Sequence, residues 1–372
     1  MSKWEQVKLN DCCASISDGD HQAPPKSESG IPFVTISNID CYNSLDFSNV
    51  MYVPQMYYDK LDNKRKAQKG DIIYSVVGSF GIPVLIKNNT PFVFQRHIAI
   101  LKPGDDLDSR FLYYTMLNKD FYHKADAVAI GAAQRTISLT ALRNLEISLP
   151  PIEVQRKIAD VLSAYDDLIE NNRRQIKLLE EAAQRLYKEW FIDLRFPGHE
   201  STPIINGIPD GWKKTLLGNL IEIKYGKDHK NIPDGNIPVY GSGGFMRKCS
   251  QALHQGEAVL IPRKGSLNNI MYVNETFWTV DTMFYALMKQ QDVGFFVYFL
   301  LKSLDMYKMN IGAAVPSMTT SILNAIDVVL PSAIILEDFH RNVNALFKRI
   351  SILNKQNYKL MESRDRLLKK LL

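Results

Sequence analysis

IGAAQRTISLTALRNLEISLPP, residues 130–151, and IGAAVPSMTTSILNAIDVVLPS, residues 311–332, are two versions of one phrase in one chain. Other landmarks recur in the same order, at offsets that drift by a few residues, as loop insertions would produce. They are Trp4 and Trp212, residues 69–79 and 255–266, and residues 110–116 and 295–301. Each copy closes on Leu-Pro and is followed by about forty residues of helical pattern. The repeat predicts a domain and a long helix, taken twice.

The predicted fold class is mixed α/β, with two mostly-β domains, two long helices and an internal pseudo-two-fold repeat. Within each copy, short apolar runs are punctuated by Gly and Pro, which is typical of strands and turns. The runs are IPFVTI, DIIYSVV, VLI, HIAIL, AVLIP and FYALM. The predicted segments are the domains at residues 1–150 and 212–331, the helices at 151–193 and 332–372, and a Pro- and Gly-rich linker at 194–211.

Both long helices carry an apolar seam with heptad spacing. The first seam consists of Leu162, Ile169, Ile176, Ala183 and Trp190, with Tyr165, Asn172, Leu179 and Leu186. The second consists of Leu346, Leu353, Leu360 and Leu367, with Phe347, Asn354, Met361 and Leu368 beside them. Four sustained heptads favour pairing of coiled-coil type over two helices that each cover their own domain. Asn172 and Asn354 occupy matching places, where a buried polar side chain can fix register.

Composition and charge narrow the function classes. The 372 residues begin without an apolar core of signal-peptide length, and the longest apolar run, residues 294–301, is far shorter than the ~20 residues that span a bilayer. The four cysteines form no CxxC pair, which favours reduced thiols in a cytoplasmic protein. We therefore expect a soluble cytoplasmic chain.

The excess positive charge is concentrated in two segments of the chain. The formal net charge of +5 is too mild to indicate a polyanionic partner by itself. Residues 332–372 carry nine Lys and Arg against four Asp and Glu, and residues 224–264 carry seven against three, whereas residues 1–150 carry sixteen of each. Any electrostatic attraction must come from local patches.

No catalytic constellation is evident. The sequence has no G-x-x-x-x-G-K-[ST] loop for a nucleotide phosphate and no H-E-x-x-H zinc motif. Leu-Pro-Pro-Ile at 149–152 lacks both flanking residues of the Asn/Asp-Pro-Pro-aromatic tetrapeptide of S-adenosylmethionine-dependent amino methyltransferases. GSGG at 241–244 lacks the strand-loop-helix setting of a cofactor loop and is interpreted as a turn. We predict no catalytic residue, cofactor or metal in this chain.

A nuclease-like pattern is the competing enzyme hypothesis. Pro209-Asp210 followed by Glu222 and Lys224 has the PD…ExK spacing that gathers two carboxylates and a lysine around Mg²⁺. Such degenerate triplets arise by chance, and here they fit a turn entering the second domain and solvated charges on one strand face. Mg²⁺-dependent DNA cleavage by the isolated chain would favour the nuclease.

Recognition of DNA remains as the favoured function. Arg and Gln side chains can make paired hydrogen bonds to guanine or adenine edges, and Lys reaches phosphates. Such residues cluster in predicted loops beside small residues. The candidate DNA-binding residues are Arg96, Gln134, Arg135, Lys227, Lys230, Arg247, Lys248, Arg263 and Lys264.

Residues 149–200 resemble the central region of specificity subunits of type I restriction-modification systems. The similarity includes their P-x-x-E-x-Q-x-x-I core, at Pro150, Glu153, Gln155 and Ile158. IPDGW at 208–212, IPVYGSGG at 237–244, IPRKGS at 261–266 and RLLKKLL at 366–372 are also similar to that family, so the resemblance covers essentially the whole chain. The second copy departs from the pattern, because SAIILEDFH after Leu330-Pro331 lacks the E-x-Q.

The resemblance implies that each domain is a target recognition domain reading one half of a bipartite DNA site. It implies that the two helices pack as an antiparallel coiled coil that sets the spacing and docks two methyltransferase subunits. Motor-nuclease subunits would join for restriction and phage defence. S-adenosylmethionine, ATP and Mg²⁺ are expected on those partners, double-stranded DNA is the expected target, and no membrane is involved. A DNA-binding scaffold with little sequence discrimination stays open as an alternative.

Overall fold

The computed structural model describes residues 4–19, 24–40, 42–132, 134–310, 312 and 315–372. The chain divides into two compact units, Met1–Asn172 with Lys355–Leu372, and Arg173–Asn354. Each unit therefore combines one globular domain with a part of both long helices. Among the described cysteines, Cys12, Cys13 and Cys249 are free thiols, and Cys41 lies outside the described residues. No helix within the described ranges is both long and apolar enough to cross a membrane.

The first domain is built from short strands and helices. Its strands are β1 (Glu5–Lys8), β2 (Cys13–Asp18), β3 (Ile31–Val34), β4 (Met51–Val53), β5 (Ile72–Ser75), β6 (Pro83–Leu85), β7 (Val93–Phe94), β8 (Ile98–Pro103) and β9 (Glu146–Leu149). Its helices are α1 (Leu9–Cys12), α2 (Gln55–Asp59), α3 (Ser109–Leu117), α4 (Lys119–Val128) and α5 (Leu139–Asn144). The strands form sheets of order β2-β8-β5-β6, β4-β3-β7 and β1-β9.

A long helix and a hairpin precede the second domain. Helix α6 (Ile152–Tyr187) ends in a π-helical turn, Lys188–Ile192, and the hairpin consists of β10 (Ile204–Ile205) and β11 (Ile208–Pro209). The linker is not a free tether, because Phe196 is buried with its ring 5.0 Å from that of Trp212 at the entry of the second domain.

The second domain repeats the architecture with longer strands. Its strands are β12 (Lys213–Leu216), β13 (Ile221–Tyr225), β14 (Ile237–Gly241), β15 (Gly244–Cys249), β16 (His254–Pro262), β17 (Met271–Thr279), β18 (Met283–Met288) and β19 (Asp327–Leu330). Its helices are α7 (Leu217–Leu220), α8 (Gly294–Ser303) and α9 (Thr320–Asn324), followed by the second long helix α10 (Ala333–Leu371). Its sheets have the orders β13-β18-β16-β17-β14-β15 and β12-β19.

The two domains share one topology. In each, the entry strand pairs with the strand before the long helix, β1 with β9 and β12 with β19. In each, one parallel pair occurs, β3 with β7 and β14 with β17. The connection between the third and fourth strands of the domain differs in length, because residues 35–50 join β3 to β4 whereas Ser242-Gly243 alone joins β14 to β15. The phrase repeated in the sequence therefore marks a repeated fold.

In the first unit, α6 and α10 contact each other through polar as well as apolar side chains. Asn172 Nδ2 donates to Asn357 Oδ1 at 2.9 Å, and Arg364 Nη1 donates to Asp166 Oδ1 at 2.6 Å. Because residue numbers rise along one helix as they fall along the other, the two segments run in opposite directions. Tyr114 of α3 donates its hydroxyl to the second oxygen of Asp166 at 2.7 Å, which joins the globular domain to the helix pair.

In the second unit, the two helices meet around aromatic side chains. Tyr187 and Trp190 lie with ring centroids 6.2 and 5.8 Å from that of Phe339 in α10. Tyr187 also stacks on Phe299 of α8 at 5.7 Å. These rings belong to one core with the second domain, so the helix ends here are part of a globular packing.

The structure corrects one member of the second seam. Asn354 is exposed, and Asn357 takes the buried place opposite Asn172. The reason is helical geometry. Asn357, four positions after Leu353, lies about 40° from it around the helix axis, whereas Asn354, the next residue, lies about 100° from it. Of the other predicted seam residues, the buried ones are Leu162, Ile169, Asn172 and Leu353, and the half-buried ones are Ile176, Leu179, Leu186, Leu346, Leu360 and Leu367.

Candidate nucleic-acid interface

The repeated phrase packs against the loop that follows the central strand of each domain. In the first domain, the backbone N–H of Ile137 donates to Val76 O at 3.0 Å, and that of Gly78 donates to Arg135 O at 3.0 Å. In the second, the N–H of Met318 donates to Arg263 O at 2.9 Å. The phrase therefore holds the loops after β5 and β16 in place. Its residues Ala133, Ile311, Ala313 and Ala314 lie outside the described residues.

A glycine directly follows the corresponding strand, β2 or β13, in both domains. The N–H groups of Gly19 and Gly226 donate to Ile98 O and Met283 O at 3.2 and 3.0 Å. A Cβ at Gly19 would lie 2.1 Å from Phe94 O, and one at Gly226 would lie 2.0 Å from Val280 O. Only glycine allows the two backbones to approach so closely.

Four segments meet at this edge of the second domain, and we call them the second-domain loop edge: residues 226–235, 241–248, 263–269 and 279–282. Asn269 Nδ2 donates to Ser242 O at 2.9 Å, which joins the third segment to the second. Backbone N–H groups of Lys227 and Arg263 donate to Thr279 O and Thr282 O, each at 2.9 Å. The six basic residues predicted in this domain all lie on these segments, which carry six Lys and Arg against three Asp.

Arg247 organises this edge. Its Nη2 donates to His229 O at 2.5 Å and to Ile232 O at 2.8 Å, and its Nη1 donates to Asp234 Oδ1 at 3.0 Å. Its guanidinium thus fastens residues 229–234 to strand β15. A direct base contact by Arg247 stays a prediction, but its visible role is to hold a loop.

The other predicted residues of the second domain are placed outward. Lys227, Lys230, Lys248 and Lys264 are exposed. Arg263 is half-buried, with its guanidinium carbon 5.6 Å from the ring centroid of Tyr225 and Nη1 donating to Asp281 O at 3.2 Å. The edge therefore presents four exposed lysines beside two arginines that bond to backbone atoms of their own domain.

The predicted residues of the first domain lie at the corresponding loops. Arg96 is exposed in the turn between β7 and β8, and Gln134 is exposed in the repeated phrase. Arg135 donates from Nε and Nη2 to Asp126 Oδ1 at 3.0 and 2.7 Å. Gln95 Nε2 lies 2.6 Å from His97 Nδ1, so the side chains flanking Arg96 bond to each other. As in the second domain, an arginine of the predicted set is bonded within its own domain, whereas Arg96 and Gln134 are exposed.

Sequence reasoning missed two apolar side chains at this edge. Phe245 and Met246 are 59% and 52% exposed. The register shifts between Val239 and Tyr240, so that Tyr240 faces Phe245, Val239 faces Arg247, and Met246 is the extra residue of a β-bulge. A bulge breaks the alternation of faces and re-aims side chains. The Gly-rich turn before them was the available sequence signal.

The glutamine of the E-x-Q motif at the start of α6 has a structural role. Gln155 is 1% exposed, accepts the N–H of Asp108 at 2.9 Å, and donates Nε2 to Asp106 O and Pro150 O at 2.9 and 2.8 Å. Its amide is therefore fully used within the first unit. At the offset of 181 residues the second copy has Leu336, which is also buried, so a different anchor serves there.

The nuclease-like residues have local partners in the structure. Lys224 Nζ lies 3.4 Å from Glu222 Oε1 on strand β13, and Asp210 Oδ1 accepts the N–H of Gly211 at 2.9 Å in the turn before β12. Within the described parts of the chain, no three His, Cys, Asp or Glu side chains are grouped to hold a metal ion.

Two titratable side chains near the loop edge have shifted pKa values. Burial, and then a hydrogen bond donated to Glu275 Oε1 at 2.6 Å, raise the pKa of Tyr240. Tyr240 therefore stays a neutral donor at the base of the hairpin. Burial, and then the charge of Lys224, lower the pKa of His254 on β16. That histidine is kept neutral.

Comparisons with known proteins show which family the chain is similar to. It matches the family described as "Type I restriction modification DNA specificity domain" over residues 1–181 and 209–360. It is 26% identical over 344 residues to the type I restriction enzyme MjaIX specificity subunit of Methanocaldococcus jannaschii, covering 82% of this chain and 77% of that one. It is 21% identical to the type I restriction enzyme HindI specificity subunit of Haemophilus influenzae, covering 100% and 99%.

A solved structure supports the fold. The crystal structure of the type I restriction-modification system S subunit from M. genitalium superposes with a TM-score of 0.59 at 21% identity, covering 100% of this chain and 96% of that chain. The family match includes both copies of the domain. The chain therefore belongs to the family of type I restriction modification DNA specificity domains.

Proposed function

We propose that this chain is the DNA sequence-specificity subunit of a type I restriction-modification complex, in which each globular domain reads one half of a bipartite site. The observation that carries the proposal is the repeat: two domains of one topology, each presenting a loop edge with exposed cations and amides. Arg, Gln and Asn can specify bases, and Lys supplies phosphate contacts that position the reader.

The long helices set the number of base pairs between the half-sites and dock the methyltransferase subunits. Antiparallel contacts of α6 with α10, through Asp166 and Arg364 and through Asn172 and Asn357, support a coiled-coil pairing. A helix of 39 residues such as α10 is about 60 Å long at ~1.5 Å per residue, a length suited to spacing two readers along a duplex.

The chain contributes recognition and no chemistry. Adenine methylation and base flipping fall to two methyltransferase subunits, which hold S-adenosylmethionine. ATP and Mg²⁺ belong to motor-nuclease subunits. Because its target is chromosomal and phage DNA, the complex acts in the cytoplasm.

The test is single-molecule methylation sequencing of genomic DNA from cells that express the chain with the neighbouring methyltransferase, compared with cells lacking the chain. We expect adenine methylation at a two-part motif only when the chain is present. Assembly of the complex without any motif would favour a non-discriminating scaffold. Mg²⁺-dependent cleavage by the isolated chain, lost in Asp210→Asn, would favour a nuclease.

A further inference from the structure

The tip of the β14–β15 hairpin combines two exposed apolar residues with a rigid base. Apolar side chains scattered singly over a surface need no explanation, but Phe245 and Met246 are adjacent and project together because of the bulge. The turn that precedes them, Ser242-Gly243, is only two residues long. The turn is therefore tight, and Phe245 and Met246 follow it closely in the chain.

The residues around Phe245 and Met246 make several contacts within the domain. The ring of Tyr240 lies 6.4 Å from that of Phe245, and Ser242 O accepts Asn269 Nδ2 at 2.9 Å. A Cβ on Gly241 would lie 2.5 Å from Met246 Sδ, so Met246 packs directly over this glycine. Arg247, the next residue, is fixed by residues 229–234. Contacts within the domain thus hold the hairpin around Phe245 and Met246 in place.

The surroundings of the tip are basic. Lys227, Lys230 and Lys264 are exposed and form no ion pair among the described residues. Exposed apolar side chains beside a tight turn, with exposed lysines on the adjoining loop segments, complement duplex DNA, where an apolar base stack lies between two rows of phosphates. A protein partner with an apolar pocket would not require those lysines.

The first domain has no such tip at the same place in its topology. Residues 35–50 replace the two-residue turn and fold back on their own domain, where Phe47 lies 6.0 Å from Phe92 between ring centroids. Ile39 and Leu45 pack on the same core. The segment contains Asp40 and Asp46 and no Lys or Arg. Any function of the tip therefore belongs to the second domain alone.

We propose that Phe245 and Met246 form a wedge that enters between two adjacent base pairs of the half-site read by the second domain and kinks the duplex there. The inference rests on the proposed function and adds a mode of recognition to it. Phe and Met are among the side chains that unstack base steps in this way. Because pyrimidine–purine steps unstack most easily, the wedge would also contribute sequence preference without hydrogen bonds to bases.

The experiment uses the full chain in complex with its methyltransferase subunits and duplexes carrying the methylated motif. The fluorescent base 2-aminopurine replaces an adenine other than the one that is methylated, in one half-site or the other, so that base flipping by the methyltransferase subunits does not contribute to the signal. We expect binding to raise its fluorescence in only one half-site. Phe245→Ser with Met246→Ser should abolish that rise and weaken binding about tenfold or more, the scale of one lost base-stacking contact. Phe245→Trp should preserve it.

A matched control is the pair Ile204→Ser with Ile205→Ser, two exposed apolar residues on the hairpin β10–β11. This control should leave fluorescence and affinity unchanged. A bound parent complex with no fluorescence rise in either half-site, or a rise that survives in the double serine variant, would overturn the wedge. A parent complex that binds no duplex and methylates no motif would instead contradict the proposed function, and the wedge with it.

Discussion

The buried Asn172–Asn357 pair gives a stability prediction whose sign depends on whether one or both amides are removed. The side chains are 9% and 5% exposed and share a hydrogen bond of 2.9 Å. Asn172→Leu leaves the amide of Asn357 buried without this partner, which should cost about 1–3 kcal/mol of unfolding free energy. Changing both to Leu removes both buried polar groups and adds apolar burial, so the double variant should be at least as stable as the parent.

Urea unfolding of the full chain, followed by circular dichroism, measures the effect as a shift of the midpoint at constant slope. The coupling between the two substitutions should be about 1–3 kcal/mol. Asn354→Leu is the matched control, because Asn354 is exposed on the same helix and its replacement should change stability by less than about 0.5 kcal/mol. If Asn172→Leu behaves like that control, or if the double variant is as unstable as the sum of the singles, the assigned pairing is wrong.

Three further predictions concern other parts of the molecule. Gln155→Leu should lower stability by about 1–3 kcal/mol, because the N–H of Asp108 loses its acceptor, and an unchanged urea midpoint would refute this anchor. His254 should titrate below an ordinary histidine, so the unfolded chain is protonated first and stability is lost as the pH falls below about 6.5. NMR titration should show the pKa rising in Lys224→Gln, and a fall would contradict the sign. Gly226→Ala should lower the melting temperature, because its Cβ would lie 2.0 Å from Val280 O. The control Gly243→Ala should leave the melting temperature unchanged, because no atom lies within 4 Å of the added Cβ. Equal melting temperatures of the two variants would contradict the close approach at Gly226.

The repeated features of the fold could be predicted from the sequence because each leaves a periodic trace. The two phrases at an offset of 181 residues predicted two domains of one topology, and the strands pair accordingly. Heptad spacing located the first seam. The second seam was harder to assign, because Asn354 and Asn357 both lie among the leucines. Only Asn357 lies on the same buried face of the helix as Leu353.

The loop edge was harder to predict because side-chain roles there depend on contacts distant in sequence. Arg247 stays a predicted base reader, and its bonds to His229, Ile232 and Asp234 add a structural role that the sequence did not indicate. Phe245 and Met246 were missed because a β-bulge leaves no periodic signal. Gln155 was evident in the sequence only as part of a family motif, and its burial and hydrogen bonds identify it as an anchor of α6.

The most direct test of the bipartite mechanism is to lengthen both long helices by one heptad, after Asn172 in α6 and before Asn357 in α10, and to sequence the methylated genome. Seven residues add about 10 Å at 1.5 Å per residue, equivalent to about three base pairs at ~3.4 Å each. We expect both half-sites to keep their bases while the spacer between them grows by about three. Altered half-site bases, or an unchanged spacer, would contradict separate reading by two domains at a distance set by the helices.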